Sequence, residues 1–302
     1  MKGASFFKAD DIFAIIAYRH LLYVVNITSV DIPKACRSVI STPLKDLIVQ
    51  IEREKNSVSN ELLSLIRDRM TSWIPVEVMA DTGIGRTVET MLGIPMNASK
   101  EPDYKGIELK SLRQASTVRA ALFTQTPDWL ISRLKSGREI VEAYGYIHEG
   151  LSAKTLQVTV RANKPNMQRL GLFVNREEEI LEIDEFGLLP KPDGTYRRIQ
   201  DVASWQLPKL HDRLLTKHRE TFWIDVETRD IDGREYFRCR AIEHTKNPLV
   251  HQFDNLLQQG DIQVDLLLCR PSGHGDTYSF KIKKKSRPLL FPESERHILI
   301  DG

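Results

Sequence analysis

From about residue 79 to the C terminus, short strand-like segments alternate with amphipathic helical segments, and this order restricts the fold more than any other feature. Apolar residues occupy every second position over residues 262–268 and again over residues 278–282, as in half-buried strands. Asp232 and Gly233 lie between two further strand-like segments and favour the positive φ angles of a tight hairpin turn. We therefore predict a mixed α/β domain over residues 79–302.

Three longer helical segments are also predicted within this region. They cover residues 128–144, residues 202–218 and residues 249–257, and the last of these can end at Gly260. The short segment 86–92, which follows a Thr-Gly-Ile-Gly sequence, is also predicted to be helical. Each helix would cover part of the sheet that the strands form.

The first 78 residues are predicted to form a separate helical domain. Residues 44–51 and 62–70 each carry an apolar stripe with helical spacing. The most apolar stretch, residues 14–25, is interrupted by an arginine and a histidine, so it is too short and too polar to cross a membrane. We predict that it forms a buried helix, and we expect no association with membranes.

Charge and cysteine content exclude several classes of protein. Lys and Arg number 43 and Asp and Glu 41, so the formal net charge is only +2, and any binding to nucleic acid must use local clusters of charge. The three cysteines, Cys36, Cys239 and Cys269, lie far apart and form no CxxC pair. This pattern is typical of a reducing, cytoplasmic environment, and it argues against a disulfide framework or a cysteine zinc site.

The segment EPDYKGIELKS contains the strongest candidate for chemistry, since Asp103, Glu108 and Lys110 lie close together in it. In a strand, Glu108 and Lys110 point to the same face, and Gly106 allows a turn that brings Asp103 towards them. Carboxylate oxygens are suitable ligands for Mg²⁺, and an ammonium group can hold an attacking water. The combination is suited to hydrolysis of a phosphodiester.

The same three residues are also compatible with an exposed strand edge that carries a surface ion pair. The position of Glu89 bears on this alternative, because it lies on a short helical segment upstream of the triplet. A helix packed beside the strand would direct a third carboxylate to the same place. Without such packing, Glu89 would face solvent.

Several segments resemble the MvaI/BcnI restriction endonuclease family and the related mismatch-repair nickase MutH, within the PD-(D/E)xK nuclease superfamily. TGIGRTVETMLGIP and PDYKGIELKS carry the resemblance at the proposed site. Further along the chain it continues, in the order of the family, through ALFTQTPDW, VEAYGYIHEG and FDNLLQQGDIQVDLLLCRPSGHGDTYSFKIKKK. The resemblance covers roughly residues 82–290 and implies a restriction-endonuclease-like fold, a mixed sheet flanked by helices.

The resemblance implies a role for each matching position. Asp103 and Glu108 would be metal-binding carboxylates, the Leu109 carbonyl a further metal ligand, Lys110 the catalytic lysine and Glu89 the acidic residue of the upstream helix. The expected cofactor is Mg²⁺, for which Mn²⁺ is expected to substitute. The expected reaction is cleavage of double-stranded DNA to 5′-phosphate and 3′-hydroxyl ends.

A second candidate region, residues 270–287, is rich in lysine and arginine. Lys281 and Lys283 lie on the polar face of a predicted strand and are candidates for contacts with DNA phosphates. By the resemblance, Arg270 and His274 lie in a loop that reaches the bases. The alternative is a solvated edge strand protected by lysines.

Three functional hypotheses remain open at this stage. The chain is a sequence-specific endonuclease of the type II restriction kind, a MutH-like nickase activated by a partner, or a non-catalytic DNA-binding module of the same fold. In the second case the N-terminal helical domain is a candidate surface for a protein partner. No nucleotide cofactor is expected, because Gly83 and Gly85 lack the third glycine and the preceding strand of a dinucleotide fingerprint.

Overall fold

A computed structural model describes residues 8–37, 40–80, 82–95, 101–113, 119–147, 153–269 and 275–300. The chain divides into two compact units, residues 1–64 and residues 65–302. The predicted domain boundary near residue 78 differs from this division, which falls within a single long helix. The two apolar stripes at 44–51 and 62–70 both belong to this helix.

Fifteen strands are described, and they are β1 (Phe13–Tyr18), β2 (Leu21–Asn26), β3 (Ile74–Pro75), β4 (Glu108–Arg113), β5 (Arg119–Thr124), β6 (Tyr146–Ile147), β7 (Lys154–Val160), β8 (Leu170–Asn175), β9 (Ile180–Pro190), β10 (Tyr196–Gln206), β11 (Glu220–Ile231), β12 (Arg234–Lys246), β13 (Ile262–Leu268), β14 (Thr277–Lys283) and β15 (Glu293–Ile298). The α-helices of the described residues are α1 (Ile32–Arg37), α2 (Pro43–Met70), α3 (Gly83–Met91), α4 (Gly137–Tyr144), α5 (Leu207–His218), α6 (Val250–Gln258) and α7 (Arg287–Leu290).

The first unit contains a β-hairpin where the sequence analysis predicts a buried helix, so that prediction is wrong. β1 and β2 pair antiparallel, and Arg19 and His20 form the turn with φ angles of 48° and 63°. β-branched and aromatic residues fill seven of the twelve positions of the two strands, which favours extended backbone over a helix. The helical domain predicted for residues 1–78 therefore contains strands as well as helices.

The second unit is built around a five-stranded mixed sheet, which we call the site sheet. Its main order is β15-β12-β11-β4, and β3 pairs with β12 at one end. β4 and β11 run parallel, with Glu108 opposite Thr221, whereas β11, β12 and β15 are antiparallel neighbours. The predicted hairpin joins β11 to β12, and Asp232 and Gly233 have φ angles of 53° and 78°. These positive angles confirm the role expected for both residues.

Two antiparallel sheets complete the second unit. One has the order β5-β14-β13-β7-β6, and the other has the order β10-β9-β8. α5 packs against β5 and β10, while α6 packs against β8 and β13. The core between these elements is aromatic at its centre, where the rings of Phe123 and Phe280 stack at 5.0 Å and Trp205 meets Phe280 edge to face. The sheets flanked by helices confirm the predicted α/β fold.

Two helix predictions in this unit are corrected. Residues 196–206 form strand β10, and helix α5 begins only at Leu207, because Pro208 fits the first turn of a helix but not its interior. Likewise, only Gly137–Tyr144 of the predicted segment 128–144 is helical. Ser136 begins this helix, since its hydroxyl accepts a hydrogen bond from the Glu139 backbone. Among the described residues, no helix combines the length and apolar character needed to span a bilayer.

Candidate active site

A tight turn positions the first acidic residue of the site. Tyr104 and Ile107 exchange two backbone hydrogen bonds of 2.9 and 2.8 Å, and between them Lys105 and Gly106 adopt φ angles of 45° and 93°. This geometry reverses the chain, so that Asp103 lies beside the start of β4. Its Oδ2 atom accepts a hydrogen bond of 2.9 Å from the backbone N–H of Leu109. The turn expected at Gly106 is therefore present, and it fixes Asp103 to the strand.

β4 carries Glu108 and Lys110 on one face, as their spacing predicts. Glu108 is almost completely buried, with 1% of its side chain exposed, whereas Lys110 retains 24% exposure. The Lys110 ammonium forms an ion pair with Oε1 of Glu108. The buried carboxylate thus lies at the base of the site and the amine at its solvent-accessible side.

The backbone of Leu109 bears on its expected role as a metal ligand. In an extended strand the N–H and C=O groups of one residue are directed to the same edge, and the Leu109 N–H is directed to Asp103. β4 is the last strand of the site sheet on this side. The carbonyl oxygen therefore faces the free edge where the carboxylates converge.

Lys217, in the last turn of α5, is a site residue that the sequence analysis missed. Its Nζ atom lies 2.8 Å from Oε2 of Glu108 and 3.7 Å from Oδ1 of Asp103. It also donates a hydrogen bond of 2.8 Å to the Glu101 carbonyl oxygen. Sequence spacing could not identify Lys217, because its distance from Glu108 depends on the pairing of two strands. The parallel register of β4 and β11 places the residues before Thr221 beside the residues before Glu108.

Glu89 reaches the same cluster from α3, which packs against β4. Burial raises the pKa of its carboxyl group, and the negative charges of Asp103 and Glu108 raise it further. The start of this helix lies against the segment that precedes it, and Gly83 permits this contact, because an added Cβ atom would lie 1.9 Å from the Val78 carbonyl oxygen. The structure therefore brings together the four charged residues selected from the sequence: Glu89, Asp103, Glu108 and Lys110.

The acidic groups of the cluster lack full compensation by the protein. Burial and the Glu108 charge raise the pKa of Asp103, although the Leu109 N–H and the nearby lysines act in the opposite direction. Oε2 of Glu108 is buried and lies 2.8 Å from the Lys217 ammonium, although the pair is not aligned as a hydrogen bond. The three carboxylates of Glu89, Asp103 and Glu108 thus face the two ammonium groups of Lys110 and Lys217. Carboxylates in excess of ammonium groups, beside a backbone carbonyl, fit a hard divalent cation.

A buried, neutral histidine, His218, connects the elements that carry the site. His218 is fully buried, and its ring nitrogens lie 2.8 Å from the Leu122 carbonyl oxygen and 3.0 Å from the Thr221 hydroxyl. Burial, together with the Lys110 charge, lowers its pKa to about 3. The imidazole therefore links α5 to β5 and β11 without adding a third positive charge beside Lys110 and Lys217.

The basic strand proposed for DNA contacts is less positive than its sequence indicates. Lys281 lies 2.8 Å from Asp265, and Lys283 lies 2.8 Å from Asp261. Arg287 is buried, pairs with Glu243 and lies 4.7 Å from the centre of the Trp223 ring.

Within residues 270–287 the sequence contains a single acidic residue, Asp276. Tertiary pairing brings the further carboxylates of Asp261, Asp265 and Glu243 to it. The two residues predicted to reach the bases, Arg270 and His274, lie outside the described residues.

A family model and a solved structure agree with this architecture. The model of the MvaI/BcnI restriction endonuclease family matches residues 63–291. A solved structure described as a complex of restriction endonuclease MvaI with cognate DNA substrate shares 18% sequence identity, with a TM-score of 0.68 over 81% of this chain and 98% of that chain. A structure of MvaI without DNA gives a TM-score of 0.41 at 16% identity, over 79% of this chain and all of that chain. A comparison with curated protein sequences finds no match.

Proposed function

Because the chain belongs to the MvaI/BcnI restriction endonuclease family, we propose that it is a Mg²⁺-dependent endonuclease that cuts double-stranded DNA at a specific sequence. The proposed products carry 5′-phosphate and 3′-hydroxyl ends. The family itself establishes a DNA endonuclease, and we assign the catalytic domain to residues 79–302. The observation that carries the finer proposal is the convergence of Asp103, Glu108 and Lys110 at one edge of the site sheet.

Double-stranded DNA is the proposed substrate for two reasons. The family consists of restriction endonucleases, and the solved MvaI structure with the same fold is described as a complex with its cognate DNA. We further propose that Lys281 and Lys283 contact phosphates by exchanging their carboxylate partners for DNA, and that Arg270 and His274 contribute to base recognition.

The proposed metal ligands are the side chains of Asp103 and Glu108 and the carbonyl oxygen of Leu109. When bound, Mg²⁺ supplies positive charge that stabilises the phosphate under attack and lowers the pKa of a bound water. Mn²⁺ is expected to substitute because it accepts the same oxygen ligands. Asp103 is held for this role by the Leu109 N–H, so its carboxylate needs little rearrangement.

Each remaining charged residue has a separate proposed role. Lys110, an ammonium at the exposed side of the cluster, donates hydrogen bonds that orient the attacking water against the phosphate. Glu89, whose pKa burial raises, is the proposed acceptor of the proton that this water loses. Lys217 balances the buried Glu108 charge from the side of α5.

The decisive experiment compares the purified wild-type chain with Lys110→Ala on unmodified plasmid DNA, with Mg²⁺ or with EDTA. We expect wild-type cleavage that requires Mg²⁺, loss of cleavage in the variant and retention of DNA binding, measured by gel shift in Ca²⁺ buffer. Lys209→Ala is the matched control, because this exposed lysine lies in the first turn of α5 and pairs with Asp128. Undiminished cleavage by Lys110→Ala contradicts the assignment.

The same digestion separates the alternative functions. Linear product with uniquely sequenced ends supports a restriction endonuclease, whereas open-circular product supports a nickase. Cleavage by the purified chain alone contradicts a required protein partner, and binding without any cleavage supports the non-catalytic module. The complete set of charged residues at the site favours catalysis over that last alternative.

A further inference from the structure

A second cluster of metal-binding side chains lies on the opposite face of the site sheet. It consists of His244 on β12 and of Glu295 and His297 on β15. One row of cross-strand neighbours contains Glu108, Thr221, Thr245 and Ser294. The next row contains Leu109, Phe222, His244 and Glu295. Successive rows of a sheet point to opposite faces, so this cluster is separated by the sheet from the proposed active site.

The three side chains are close enough to share one ion. One potential ligand atom from each lies within 4.8 Å of the other two. Nδ1 of His297 is 3.8 Å from a carboxylate oxygen of Glu295, and the two imidazole rings are 6.3 Å apart. Bonds of roughly 2.0–2.2 Å place ligand atoms about 3.3 Å apart in a tetrahedral site. Side-chain shifts of about 1 Å would therefore bring the three ligand atoms to this spacing, with the fourth position of the tetrahedron left to water.

One ligand is rigid and two can adjust. His244 is 6% exposed, packs edge to face against Phe222 and has Nε2 only 2.7 Å from Oε1 of Glu220. A carboxylate on a ligating histidine is the usual outer partner that fixes the ring. In contrast, the side chains of Glu295 and His297 are 73% and 20% exposed on the edge strand β15. The cluster thus combines one buried ligand with two ligands on an edge strand.

We propose that His244, Glu295 and His297 bind a zinc-class transition-metal ion, with Glu220 orienting His244. Two imidazoles and one carboxylate are a donor set that selects such an ion over Mg²⁺, which prefers oxygen ligands alone. The ion would connect β15, whose residues are mainly exposed, to the buried strand β12. The proposed role of the ion is structural, because it would link β15 to the neighbouring strand β12 of the site sheet.

The test is titration of metal-free, full-length protein with Zn²⁺ in excess Mg²⁺, followed by calorimetry and thermal unfolding. We expect one equivalent of Zn²⁺ to bind, and the unfolding midpoint to rise by about 5–10 °C when free Zn²⁺ exceeds its dissociation constant a hundredfold. Hydrogen exchange of the β15 amides should slow in parallel.

Two variants and one control locate the ion. His297→Ala and the milder Glu295→Gln should each weaken Zn²⁺ binding at least tenfold, whereas His251→Ala, an exposed histidine on α6, should leave it unchanged. Asp103→Asn should also leave it unchanged, which separates this site from the proposed Mg²⁺ site. Equal Zn²⁺ binding by wild type and both β15 variants, or no stoichiometric binding by wild type, overturns the proposal.

Discussion

Replacing Lys217 by methionine removes the positive charge next to the buried Oε2 atom of Glu108 while keeping most of the apolar volume of the side chain. The two charges are 2.8 Å apart, and the side chains are 11% and 1% exposed. The gross attraction is about 6 kcal/mol at an effective dielectric constant of roughly 20. Burying the ammonium costs several kcal/mol in return. Lys110 remains paired with the other oxygen of Glu108.

The expected net loss in free energy of unfolding is therefore about 2 kcal/mol in metal-free buffer. For a domain of this size that corresponds to a decrease of roughly 4–8 °C in the unfolding midpoint. Mg²⁺ should then stabilise Lys217→Met more than it stabilises the wild type, because the cation replaces part of the missing positive charge. Differential scanning calorimetry with EDTA and with Mg²⁺ measures both quantities.

Lys209→Met is the matched control, since it lies on the same helix in an ion pair with 57% exposure of the lysine side chain. Only the lysine of this pair is exposed, since the Asp128 side chain retains 12% exposure. Loss of the pair should cost about 1 kcal/mol, so this control should unfold closer to the wild type than Lys217→Met and should respond to Mg²⁺ as the wild type does. Equal stability of Lys217→Met and Lys209→Met without metal contradicts the role assigned to Lys217. An equal increase of the unfolding midpoint of both variants by Mg²⁺ contradicts it as well.

Three further predictions address the carboxylates, the packing of α3 and the basic strand. The folded protein raises the pKa of Asp103, so its ionisation destabilises the metal-free fold. As the pH rises from about 4 through that raised pKa, the wild type should therefore lose stability relative to Asp103→Asn. Urea unfolding of both proteins across this pH range measures the difference. Gly83→Ala should destabilise the fold and reduce cleavage by clashing with the Val78 carbonyl, whereas Gly85→Ala, with open space at its Cβ, should be neutral or stabilising. Lys281→Ala should weaken DNA binding and lower its salt dependence by about one counterion, and an unchanged salt slope excludes a phosphate contact.

The elements that sequence patterns predict well are those specified by local chemistry. The turn at Lys105 and Gly106 and the hairpin at Asp232 and Gly233 depend on residues that tolerate positive φ angles, and the structure contains both. The alternating strands β13 and β14 are likewise present as predicted. Glu89, Asp103, Glu108 and Lys110 could be selected because they lie near one another in sequence.

Features that depend on tertiary context were not accessible in the same way. The apolar stretch around Arg19 has no helical or strand periodicity strong enough to distinguish a buried helix from a hairpin. β10 runs directly into helix α5, so the helix predicted for residues 202–218 wrongly includes the end of this strand. The partners that neutralise Lys281 and Lys283 come from β13 and the turn before it, and only the strand register places them there.

The parallel pairing of β4 with β11 also bears on how such enzymes diversify. Lys110 and Lys217 are about a hundred positions apart along the chain, yet adjoining strand and helix ends hold them in one place. The intervening stretch includes the whole β10-β9-β8 sheet. Insertions or deletions there can change the outer sheet while the charged residues of the site keep their positions, so these two parts of the unit are free to change separately.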